Sequence, residues 1–226
     1  MKLPIVNDYL AKLAKDFHHD ISKSKNNDDI FVNLELLEEF VHRVPKNVLS
    51  IIKMIIKSKK PLQAKPLEKF GTEQFYGKSH DDLIEICITL LDRIRYFETK
   101  DAFNIAIFLS HFDNQVISKK AMDMLEHIAK YNYFYLRKDL YTQNMILCEM
   151  EKWNRKTLLD NKDIIFKITK ELLEPSFGGE SSDYNSITFH TGPLIVSDIL
   201  KDIRRRTIKL LQKIYGGRLE NYPTVH

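Results

Sequence analysis

Two stretches of the chain combine residue types that could do chemistry. Gly71-Thr72-Glu73-Gln74-Phe75-Tyr76-Gly77-Lys78-Ser79 has the ingredients of a phosphate-binding loop, which needs Gly, four residues, then Gly-Lys-Ser or Gly-Lys-Thr. That spacing makes the backbone amides converge on the phosphates, with the lysine reaching over them. Here five residues intervene, and the extra one rotates the amides away. No apolar strand precedes Gly71, only Pro66-Leu67-Glu68-Lys69-Phe70, and bulky Phe75 and Tyr76 fill the loop. The expectation is an ordinary loop ending in a helix cap at Ser79 or Asp81.

Metal-assisted hydrolysis is the second chemistry to weigh. An upstream His, a His-Asp pair and a distant Asp can hold metal and activate water, and His42, His80-Asp81 and Asp139 occur in that order. His19-Asp20 is a poorer pair. His80-Asp81 follows Gly77-Lys78-Ser79, however, and reads as a solvent-facing helix start rather than a ligand pair inside an apolar helix. The remaining histidines form no HExxH, and His111 and His127 sit in amphipathic stretches as hydrogen-bonded side chains. The glycines never form GxSxG, and neither cysteine has a catalytic partner nearby in the sequence. Glu38-Glu39 and Asp81-Asp82 read as helix turns and caps. No catalytic residue, metal ligand or cofactor is assigned, and binding is the expected business of the chain.

Three groups could bind. Lys201, Arg205, Lys209 and Lys213 recur every four residues, a slowly drifting basic stripe that Arg204 and Arg206 widen. Tyr131, Tyr133, Phe134, Tyr135 and Tyr141 cluster, and tyrosines left on a repeat surface, Tyr133 and Tyr135 in particular, would make contacts. Phe75 and Tyr76 lie in a stretch, 59–79, that also carries Lys59, Lys60, Lys65, Lys69 and Lys78.

The elements that must position these residues read as helices. Apolar periodicity predicts them over Pro4–His19, Phe31–Val44 with Asp29 as its cap, Lys46–Lys57, Asp81–Phe97, Lys100–Phe112, Gln115–Tyr131, Tyr133–Trp153, Lys156–Leu173 and Pro193–Tyr215. Gly216-Gly217 stops the last. The chain divides into N-terminal helices (1–58), the basic and aromatic linker (59–79), central helices (80–175), an insertion (176–192) with a hint of strand over Ser186–His190, and a final helix with its tail (193–226).

Asp82-Leu83-Ile84-Glu85-Ile86-Cys87-Ile88-Thr89-Leu90-Leu91-Asp92-Arg93-Ile94 returns 120 residues later as Asp202-Ile203-Arg204-Arg205-Arg206-Thr207-Ile208-Lys209-Leu210-Leu211-Gln212-Lys213-Ile214. Positions 203, 207, 210, 211 and 214 make one buried stripe on a 3.6-residue helix. Ile117, Ala121, Met124, Leu125 and Ile128 repeat it, and Ile164, Ile168, Glu171, Leu172 and Pro175 repeat it more weakly. The small or β-branched position falls at Cys87, Ala121, Ile168 and Thr207, at gaps of 34, 47 and 39 residues. Two-helix HEAT and armadillo units repeat at about 40 to 47. Asp198, Ile203-Arg204, Thr207, Leu210-Leu211 and Ile214 resemble the second helix of a HEAT repeat, and Asp113 and Asp160 echo its acidic position. The Arg of the pair occurs once, its counterparts being Ile84, Ser118 and Ile165. The resemblance covers Asp82 to Ile214. It implies an all-α, HEAT-like right-handed solenoid of about eight to nine helices with two irregular insertions.

Composition agrees with a folded helical chain, since 43% of the 226 residues are hydrophobic, 29% charged, and only 7 are Gly and 7 Pro. A net charge of +4 is too small to imply nucleic acid by itself. Cys87 and Cys148 lie within apolar helical stretches and read as buried thiols in a reducing, cytoplasmic compartment. No signal peptide is visible, and the strongest apolar run, Ile51–Ile56, is broken by Lys53. A solenoid normally closes on a polar capping helix and none follows Gly217, so the chain reads as a piece or subunit of a larger assembly. The expected function is a non-enzymatic interaction or sensing module for a protein partner, without membrane. The alternatives are a nucleic-acid-binding HEAT-like protein of the DNA glycosylase type and, further off, an HD-type metal hydrolase.

Overall fold

A computed structural model of the chain describes residues 4–58, 66–70, 73–130, 136–173 and 193–216; side chains are described at all of these except 4–8, 66–70, 73–76, 136–139 and 193–197. The fold is all-α in class. Ten α-helices occur among the described residues, one or two more than the repeat count suggests: α1 Pro4–Lys23, α2 Asn27–Glu38, α3 Pro45–Ile56, α4 His80–Ile94, α5 Thr99–Leu109, α6 Gln115–Ala129, α7 Leu136–Glu151, α8 Arg155–Asp160, α9 Lys162–Leu173 and α10 Pro193–Tyr215. The linker read as lacking regular structure contains a two-stranded antiparallel hairpin, β1 Pro66–Phe70 and β2 Glu73–Tyr76, with Phe70 opposite Glu73.

The chain falls into two compact units, Met1–Met124 and Leu125–His226. In the first, α1 packs on α2 and α3, and α4 packs on α2, α3 and α5. Being covered by three helices explains why α4 is apolar nearly all round, with Leu83, Ile84, Ile86, Cys87, Ile88, Leu90, Leu91 and Ile94 buried. Burial also drives the Cys87 thiol pKa upward, so that side chain acts as a small hydrophobe. In the second unit α10 packs on α7, α8 and α9. Ile146, Leu147 and Met150 of α7 and Ile165, Ile168 and Leu172 of α9 are buried, and so is every stripe residue from Ile203 to Ile214.

The other stripes behave alike. Leu83, Cys87, Leu90, Leu91 and Ile94 are buried, as are Ile117, Ala121, Met124, Leu125 and Ile128. In the weaker copy Ile164, Ile168 and Leu172 are buried and Glu171 half-buried; Pro175 lies outside the described residues.

Local chemistry moves several boundaries. The second helix begins at Asn27 rather than Phe31, because the Asn26 side chain accepts from the Asp28 amide and takes the capping role expected of Asp29. It ends at Glu38, and Val41–Arg43 form a single 3₁₀ turn. The helix expected over Lys156–Leu173 is two helices. Asn154 caps α8 by accepting from the Thr157 amide at 2.9 Å, and Asn161 then folds back to donate to the Thr157 carbonyl at 2.9 Å, which breaks the run before α9. The strand hinted at over Ser186–His190 lies outside the described residues. No helix among the described residues is long and apolar enough to cross a membrane.

Candidate interaction surfaces

Because α10 commits one stripe to the core, its cations fall on the rest of the helix. Lys201, Arg204, Arg205, Lys209 and Lys213 are all exposed. Two are partly neutralised from within the helix: Lys201 Nζ lies 3.8 Å from Asp198, and Arg205 donates to Asp202 at 2.6 Å. The bond from Arg205 holds the Asp202 carboxyl below its usual range. Arg204 and Lys209 form no ion pair among the described residues. Between them on the same face stands Ile208, 43% exposed, an apolar residue that a reading of charges alone passes over.

Arg206 does not widen the stripe. It turns inward, with its side chain 20% exposed, and its guanidinium grips the Glu151 carboxylate with two bonds, Nε to Oε1 at 2.9 Å and Nη2 to Oε2 at 2.6 Å. The same group donates to Asn144 and, at 3.0 Å, to Cys148 Sγ. Asn144, Cys148 and Glu151 sit at i, i+4 and i+7, so one face of α7 receives one arginine of α10. Planar two-point pairing is the strong form of this interaction. It holds the Glu151 carboxyl below the ordinary range and raises the guanidinium further above its own. Cys148 is therefore only partly buried and engaged in a polar cluster, unlike Cys87 and unlike the buried thiol expected.

At the described end of the glycine-flanked stretch, Lys78 and Ser79 bond to the protein itself. The Lys78 amide donates to Asp28 Oδ1 at 2.8 Å and its carbonyl accepts from Asn27 Nδ2 at 2.9 Å, so the peptide is held from both sides by the start of α2. Gly77 lies so close that a Cβ there would come within 2.5 Å of Asp28 Oδ2. The Lys78 ammonium lies 4.1 Å from the Phe31 ring centroid. Ser79 and Asp82 close a reciprocal capping box that starts α4, as the loop-and-cap reading expects.

His80 is half-buried over a cavity of about 350 Å³ with Ile21, Ile30, Met54, Ile55 and Leu83, and burial lowers its pKa against the opposing charge of Asp81. Asp81 accepts from Asn114 at 2.8 Å. His42 lies with its ring 6.1 Å from that of Phe97, and the Asp139 side chain lies outside the described residues. Among the described residues no three His, Cys, Asp or Glu side chains are grouped to hold a metal.

A surface that no motif announced runs between α3 and α5. This open groove has a volume of about 600 Å³ and is lined by Ile56, Lys57, Asn104, Ile105 and Phe108, with the Lys53–Asp101 ion pair, 2.8 Å, tying its two helices. Phe108 is 55% exposed. Of the aromatic candidates, Tyr133 and Tyr135 lie outside the described residues, as do the side chains of Phe75 and Tyr76, whose backbone forms the end of β2. Tyr141 on α7 is 70% exposed.

Compared with known proteins, the chain matches no family model, no curated protein and no solved structure.

Proposed function

We propose that the chain is a non-enzymatic helical-repeat interaction module, HEAT-like in build, whose α10 face docks on an acidic protein surface. The solenoid reading is supported within the first unit, where the successive pairs α1/α2 and α3/α4 pack like on like, α1 against α3 and α2 against α4. Fold alone carries no function, so the reading rests on the site.

One observation carries it: the exposed face of α10 sets Ile208 among Arg204, Arg205 and Lys209, while Asp198 and Asp202 pair with Lys201 and Arg205. An apolar residue ringed by cations suits a protein surface with an acidic rim, which can desolvate the isoleucine and pair with the ring. Phosphates would gain nothing from Ile208. The in-helix acids also shorten the reach of the field, which at physiological salt decays over about 8 Å.

Nucleic acid is the second reading, favoured by Arg204 and Lys209, which pair with no carboxylate among the described residues. Duplex titration over a salt series separates the two. We expect weak, sequence-independent binding that is lost by physiological ionic strength. Submicromolar binding that persists there, and whose logarithmic salt slope flattens by about 0.9 per lost phosphate contact when Lys201, Arg205, Lys209 and Lys213 become Gln, would promote the nucleic-acid reading instead.

A further inference from the structure

We propose that the groove between α3 and α5 is a second binding site, one that takes a single amphipathic helix of a protein partner whose polar flank is acidic. It stands independently of α10. Ile56 and Ile105 are half-buried and Phe108 is 55% exposed, so the groove offers an apolar floor with an aromatic wall. Its volume, about 600 Å³, is that of a ligand cleft rather than of a packing defect. Two helices flank it, and the natural occupant of an apolar channel between two helices is the apolar edge of a third.

The charges choose among such helices. Lys53 and Lys57 line the groove with one carboxylate among the described residues, Asp101, and Lys53 already neutralises that carboxylate. Lys57 closes α3, is exposed and forms no ion pair among the described residues. An incoming glutamate or aspartate therefore meets an uncommitted ammonium, whereas an incoming lysine meets no uncommitted acid among the described residues. Polyanionic nucleic acid would find, among the described residues of the groove, one uncommitted cation beside an apolar floor, too little to hold a backbone. The groove is lined by residues of the first unit alone, so charge reversal on α10 alters none of the groups that line it.

Fluorescence anisotropy of the full chain with synthetic helical peptides tests this. The peptides are about sixteen residues long, share Leu and Phe at i, i+3, i+4 and i+7, and carry Glu, Gln or Lys on the polar face. The Glu peptide is expected to bind about tenfold or more tighter than the Lys peptide, with Gln between. Phe108→Asp, and Asn104→Trp, which fills the channel from an exposed position, should each weaken the Glu peptide about tenfold or more, with helix content by circular dichroism unchanged. Lys57→Gln should narrow the gap between the Glu and Lys peptides, and Arg204→Glu should change nothing. Equal binding of all peptides, binding by none, or Glu-peptide affinity unmoved by both groove variants would overturn the proposal.

Discussion

Phe103→Ala is expected to lower the stability of the chain by about 3 to 5 kcal/mol, the largest effect of any single truncation considered. Phe103 is fully buried and, among the described residues, heads the fully buried side chains by size. Its neighbours along α5, Ala102 and Ala106, are buried and small, and α5 packs on α4, so the ring is the bulk of what this stretch of α5 buries. Removing it leaves a cavity that packed helices cannot collapse into. Phe108, one and a half turns along the same helix and 55% exposed, supplies the control. Its truncation should cost within about 0.5 kcal/mol. Chemical denaturation of both variants measures the difference, and similar midpoints would show that α5 does not pack as described.

Arg206→Ala is expected to cost about 2 kcal/mol, less than a fully buried pair loses because both partners keep some exposure to water. The loss has two parts: a two-point bond between α10 and α7 disappears, and Glu151 is left half-covered without its counter-charge. Pairing Arg206→Met with Glu151→Leu should recover most of it, since an apolar pair of similar volume removes the stranded charge. Arg205→Ala, which breaks only an exposed bond to Asp202, should cost within about 0.5 kcal/mol. The clamp also has a pH signature. Arg206 holds the Glu151 pKa below its unfolded value, so the stabilisation is complete at neutral pH and is lost as pH falls below the ordinary glutamate range, about 4.3, and through the depressed folded value. Thermal midpoints followed into acid should fall more steeply for the wild type than for Glu151→Gln. Equal costs for the neighbouring arginines, or parallel acid limbs, would mean that Arg206 holds nothing.

The helical stripes were legible in the sequence because a buried face repeats with the period of the helix itself. Ile203, Thr207, Leu210, Leu211 and Ile214, and their counterparts from Leu83 to Ile94, are buried as that period requires. Features set by short side-chain bonds were less legible. Nothing in the hydrophobic pattern over 156–173 reveals that Asn161 bends back on Thr157, and nothing in the linker's composition reveals the register of β1 with β2. The inward turn of Arg206 was visible only in part: the residue lies at the edge of the buried stripe, but its direction depends on α7 presenting Asn144, Cys148 and Glu151 opposite it. Four cations of α10, Lys201, Arg205, Lys209 and Lys213, are legible from their spacing and Arg204 from its place beside them, whereas Ile208 matches neither the core pattern nor the charge pattern. The α3–α5 groove had no sequence signal at all. Ile56 and Phe108 come together through the placing of two helices, which no local period encodes.

Site-specific photo-crosslinking from position 208, with a photoreactive residue replacing Ile208 in the source cells, asks most directly what the α10 face touches. If the proposed docking face is right, the expected product is an adduct destroyed by protease, indifferent to nuclease, and abolished when Arg204 and Arg205, which flank the exposed Ile208, are both changed to Glu. A nuclease-sensitive adduct, or a protein adduct that survives the double charge reversal, would contradict the assignment of this face to an acidic protein partner.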